Sequence, residues 1–60
     1  MENNNKCEKE LFINFKKLIY IPSYIFNNNF LEILDLSYNN IITIFPEINK
    51  LINLKELWLN

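Results

Sequence analysis

The chain has 60 residues and a mass of 7.3 kDa; half of the residues are apolar, 22% are charged, and the formal net charge is -1. So short a chain makes at most one small domain, and it buries only about 60% of the surface that its unfolded form exposes. With no His, no Gly, no Arg and one Cys, it excludes the commonest zinc sites, His-based catalytic dyads and triads, glycine-rich phosphate loops and an internal disulfide.

Residues 1 to 7, ending at Cys7, form a polar stretch expected to be disordered. It has no apolar centre, so it does not read as a secretory signal. The lone Cys7 favours a reducing compartment, hence an intracellular, cytoplasmic setting. The longest apolar runs are about four or five residues, far short of the ~20 that a membrane helix needs, so membrane insertion is not expected. The six lysines are scattered, with Lys16-Lys17 the one basic pair. Nothing in that distribution suggests nucleic acid. Asn, Ile, Lys, Phe and Tyr dominate and share AT-rich codons, so the Asn27-Asn28-Asn29 run reads as polar padding.

From residue 8 onward the chain repeats itself. Leu31, Leu34 and Leu36 recur as Leu54, Leu57 and Leu59, an offset of 23. The same offset backwards aligns Leu11 and Ile13 with Leu34 and Leu36, and Leu18, Ile21 and Ile25 with Ile41, Ile44 and Ile48. Two positions break the frame: Glu8 stands in place of Leu31, and Asn28 in place of Leu51. All nine aromatic residues lie off it, so the frame is not simply picking out apolar side chains.

Leu31 to Ile41 reads Leu-x-x-Leu-x-Leu-x-x-Asn-x-Ile, with Asn39 in the polar slot. This resembles the leucine-rich repeat family, and Ile21-Pro22-x-x-Ile25 and the stretch from Ile44 to Leu54 resemble its 23-residue intracellular subclass. The resemblance implies an α/β solenoid. Its segments are a degenerate or capping repeat over 8-30, a full repeat over 31-53 and a truncated third over 54-60. Each repeat would place a short parallel strand on the concave side and a helical or irregular turn on the convex side. Leu34 and Leu36 then point inward while Ile33, Asp35 and Ser37 point out. Asn39 is expected to satisfy backbone groups within its turn. Pro46 can open a helical turn with Glu47 near its positive end, and Ile48, Leu51 and Ile52 would close the core from the convex side. An ordinary amphipathic helix over about 46 to 57 is the alternative, but it leaves the offset of Leu31, Leu34 and Leu36 unaccounted for. Glu8 and Lys16, the latter in the slot of Asn39, mark the first repeat either as a cap facing water or as a decayed copy.

In this family the outward strand residues grip partner proteins. Carried over by register, that face consists of Glu10, Ile33 and Glu56, then Phe12, Asp35 and Trp58. After these come Asn14 and Ser37, with Phe15 and Tyr38 one position later. Aromatic residues dominate energetic hot spots, and the three carboxylates would add an acidic rim. The same aromatics also suit a strand merely because they pack well on a pleated surface. Phe15 could instead tuck under the first repeat, and Phe26, Phe30 and Phe45 are expected to fill core or convex gaps.

No catalytic residue, cofactor or metal ligand is expected, because Ser23 and Ser37 have no His to activate them and the carboxylates are scattered. The reading is a non-catalytic protein-interaction module, a scaffold or adaptor in signalling. Two alternatives are a regulatory segment of a larger kinase, phosphatase or cyclase, and a truncated product without a function of its own. A solenoid stopping after Asn60 leaves Leu54, Leu57 and Leu59 open on one side. Self-association through that C-terminal edge is therefore a further expectation.

Overall fold

The computed structural model describes residues 8-60; the polar stretch 1-7, with Cys7, lies outside them. Three short strands, β1 (Glu10–Phe12), β2 (Ile33–Asp35) and β3 (Glu56–Trp58), alternate with two 3₁₀ helices at Ser23–Asn27 and Pro46–Lys50. The strands pair in parallel in the order β1-β2-β3. Glu10 faces Ile33, which faces Glu56, and Leu11, Leu34 and Leu57 likewise share a row. The 23-residue spacing of the sequence is thus the register of the sheet. Parallel pairing forces a long return between strands, and each return runs through one of the 3₁₀ helices.

The returns are built on the same backbone pattern. The Ile25 amide donates to the Pro22 carbonyl, Asn28 to Ile25 and Leu31 to Asn28; 23 residues on, Ile48 donates to Phe45, Leu51 to Ile48 and Leu54 to Leu51. Each bond spans three residues, and side chains three apart eclipse in a 3₁₀ turn. Ile25 and Leu31, like Ile48, Leu51 and Leu54, therefore face the same interior. Pro46 opens the second helix at its first position, where a missing N–H costs nothing, with Glu47 in the first turn and Lys50 in the last.

The core lies between the sheet and these helices: Ile21, Ile25, Phe26, Leu31, Leu34, Leu36 and Leu51 are buried, with Leu11, Ile13, Leu18, Ile41, Ile48 and Leu54 packed against them. Every one of these except Phe26 belongs to the repeating frame. The structure corrects the expectation in several places. Ile52 is 74% exposed, because a tight turn of three residues carries a side chain four past Ile48 off the inner face. Ile44, Leu57 and Leu59, assigned to the core frame, are 40%, 37% and 36% exposed, against 0% for Leu34 and Leu36. β2 is covered on both sides, whereas β3 has a strand on one side alone. Of the three aromatics expected to fill gaps, Phe26 does so, Phe30 is exposed, and Phe45 lies on the surface stacked against Tyr20 at 5.6 Å.

The two breaks in the frame have local partners. Asn28 donates its amide to the Glu8 carbonyl at 3.1 Å, and its own side-chain oxygen accepts the Phe30 amide at 3.2 Å. A side chain in the slot of Leu51 thereby ties the start of the described chain to the first return. The missing Asn at Lys16 is supplied from the next turn. Asn39 Oδ1 accepts the Lys16 and Leu18 amides at 2.9 and 3.2 Å, while its Nδ2 donates to the Ile13 and Leu36 carbonyls at 2.7 and 2.8 Å. One side chain thus satisfies backbone groups of two successive turns.

Among the described residues, three non-glycine residues adopt left-handed backbone: Phe15 (φ 59°), Lys17 (φ 59°) and Tyr38 (φ 62°). Each costs about 1–2 kcal/mol relative to the right-handed region. Phe15 and Tyr38 occupy equivalent slots and recover part of that cost by stacking, with ring centroids 4.6 Å apart and planes within 5°. Lys17 sits between the two amides that converge on Asn39 Oδ1; a left-handed residue there turns neighbouring N–H groups toward one acceptor.

Candidate functional site

The outer face of the sheet is defined by strand alternation. In β1, Leu11 turns toward the core while Glu10 and Phe12 stay exposed; in β2, Leu34 is buried between the half-buried Ile33 and Asp35. Register then sets the rows across the sheet: Glu10, Ile33 and Glu56 in one, and Phe12, Asp35 and Trp58 in the next. The structure brings together the strand residues singled out from the sequence. Phe15 and Tyr38 form the stacked pair where the strands end, 74% and 67% exposed. Phe15 therefore does not tuck beneath the first repeat.

Asp35 is the most elaborately held of these side chains. Its Oδ1 accepts the Ser37 amide at 3.0 Å and the Asn14 Nδ2 at 3.1 Å. The Ser37 hydroxyl and then the Ser37 amide hold its carboxyl below the usual 3.8, against an opposing effect of desolvation, with the smallest contribution, also downward, from Asn14. Asn14 also donates to the Ser37 carbonyl at 3.1 Å. Ser37, expected on the open face, is instead only 9% exposed. It follows the central strand β2, and its backbone is engaged by Asp35, Asn14 and Asn39. Its place is as a support for Asp35.

At the other edge, the Trp58 indole Nε1 donates to Glu56 Oε1 at 3.1 Å, so the ring is tethered while about half exposed. Lys55, next to Glu56, pairs with Glu32 at 3.7 Å. Glu10 and Glu56 share a row with Ile33 between them, Asp35 lies in the next row, and among the described residues no group of three Asp, Glu, Cys or His stands close enough to hold a metal. No helix among the described residues is long and apolar enough to cross a membrane.

A shallow hollow also opens beside the first 3₁₀ helix, lined by Tyr20, Ile21, Pro22, Ser23, Phe26, Phe45 and Glu47. The repeat frame gave no hint of it, because its aromatic walls lie off the frame. Its polar side chains are one carboxylate, Glu47, and two hydroxyls, Tyr20 and Ser23, on an apolar lining. Across known protein families, curated proteins and solved structures, nothing matches the chain.

Proposed function

We propose that the chain is a leucine-rich repeat segment whose exposed strand face binds a partner protein, as a non-catalytic scaffold or adaptor inside the cell. The observation that carries this reading is the row register. It sets Phe12 and Trp58 on either side of Asp35, and the exposed, stacked Phe15 and Tyr38 follow three residues after Phe12 and Asp35. Large, stiff aromatic side chains contribute most to hot spots because they bury much area at little conformational cost. The solenoid reading is supported by the 23-residue register of all three strands and the matching hydrogen-bond pattern of both returns. A cytoplasmic setting is supported by the single cysteine.

The test is selection of peptides from a random displayed library on the 60-residue chain, followed by affinity measurement against variants. Trp58→Ala and Tyr38→Ala should each weaken the selected peptides by roughly tenfold or more, the scale of a hot-spot truncation. Tyr24→Ala, on an exposed residue of the first 3₁₀ helix, should leave them unchanged. Peptides indifferent to Trp58 and Tyr38 would place binding elsewhere and overturn the reading.

A further inference from the structure

The three strands, Glu10–Phe12, Ile33–Asp35 and Glu56–Trp58, carry three acidic residues, Glu10, Asp35 and Glu56, and no lysine. The surface is therefore locally anionic although the chain is nearly neutral. The carboxylates are not an undifferentiated patch. The upper row runs acid, apolar, acid (Glu10, Ile33, Glu56), and the lower row runs aromatic, acid, aromatic (Phe12, Asp35, Trp58). Parallel strands lie about 4.8 Å apart, so the backbones bearing Phe12 and Trp58 are about 10 Å apart across Asp35. A cation between two ring faces needs about 7 Å, twice a van der Waals contact.

Resting on the partner-binding reading of this face, we propose that it takes an arginine side chain of a partner protein, its guanidinium over Asp35 between Phe12 and Trp58. Three features make the seat specific to that group. Asp35 is fixed in place through Oδ1 by Asn14 and the Ser37 amide, and a carboxylate has lone pairs beyond those two for a guanidinium N–H. The flanking side chains are aromatic, and on an aromatic π face the planar guanidinium stacks better than an ammonium. Ile33, two residues before Asp35 on the same face, provides apolar surface for the aliphatic stem, with Glu10 and Glu56 on either side of it. Charge complementarity thus selects a basic segment, and the aromatic walls select arginine over lysine.

The experiment takes the library-selected peptides that lose affinity on Trp58→Ala, and resynthesises each with its arginines replaced by citrulline, a neutral analogue of nearly the same shape. The expected result is that these peptides carry arginine, and that citrulline weakens binding about tenfold, as loss of a charge-assisted contact does. Lysine substitution should weaken binding several-fold. Asp35→Asn should reduce the difference between the arginine and citrulline forms to less than about twofold. Because citrulline changes only the peptide, the result does not depend on how the variant folds. Face-dependent peptides that lack arginine, or that bind equally well as citrulline forms, overturn the arginine seat and leave the partner-binding face standing. Selection yielding no face-dependent peptide overturns both.

Discussion

Replacing Asn39 by Ala is the sharpest test of how the coils are joined. The side chain accepts from the Lys16 and Leu18 amides and donates to the Ile13 and Leu36 carbonyls. The Lys16 contact is exposed and water can take it over, whereas the other three are partly buried. At about 1 kcal/mol for each partly buried group left without a partner, the loss comes to about 3 kcal/mol. A chain of this size has a total stability of only about 3–9 kcal/mol, so the variant should lose a third of it or more. Urea denaturation followed through Trp58 fluorescence reads this directly. Asn39→Asp keeps the acceptor but sets a carboxylate against two carbonyls, and should be at least as damaging. Asn40→Ala, an exposed neighbour, should stay within about 0.5 kcal/mol of the parent. If Asn39→Ala shifts stability no more than Asn40→Ala, the idea that one amide serves two turns is wrong.

Other expectations follow from the same packing. Leu34→Ala should cost about 2–5 kcal/mol in the same assay, as truncation of a fully buried Leu does; Ile52→Ala should change stability by less than about 0.5 kcal/mol. Lys17→Gly removes left-handed strain at an exposed side chain and should stabilise by about 0.5–1 kcal/mol, the cost of αL backbone less the added freedom of the unfolded chain. Asp35 should titrate below 3.8 in the folded chain, as read by carboxyl NMR. Its folded pKa is lowered, so its contribution to stability is present above 3.8 and is lost as pH falls through the folded value. Asp35→Asn should flatten that acid limb. Sedimentation velocity should show concentration-dependent association of the parent chain through β3, and Leu57→Lys, at the centre of β3, should abolish it, because a charge on an edge strand blocks pairing.

The sheet and its register were legible in the sequence because Leu34, Leu57 and their partners recur at one fixed interval, and a parallel sheet converts that interval directly into rows. The returns were legible only in part. Pro46 announced its turn, but nothing in the residues distinguished three per turn from four, and Ile52 was misplaced on that account. The left-handed positions left no trace, since the usual marker, glycine, is absent and Phe15, Lys17 and Tyr38 are held by stacking and by Asn39. The acidic and aromatic members of the outer face could be assigned by counting. The burial of Ser37 could not, because its surroundings include Asn14 of the preceding repeat as well as Asp35 and Asn39 of its own. The hollow under Tyr20 and Phe45 joins residues from two returns that no single repeat reveals.

The reach of Asn39 also bears on the order in which the chain acquires structure. Its bonds to the first coil span 21 to 26 residues, so the first turn borrows its amide from a segment that a ribosome makes later. Until residue 39 has emerged, the Ile13 carbonyl and the Lys16 and Leu18 amides lack the partner they have in the folded chain. Contacts of that separation can form only after the intervening loop has closed, a cost that local turn formation alone does not meet.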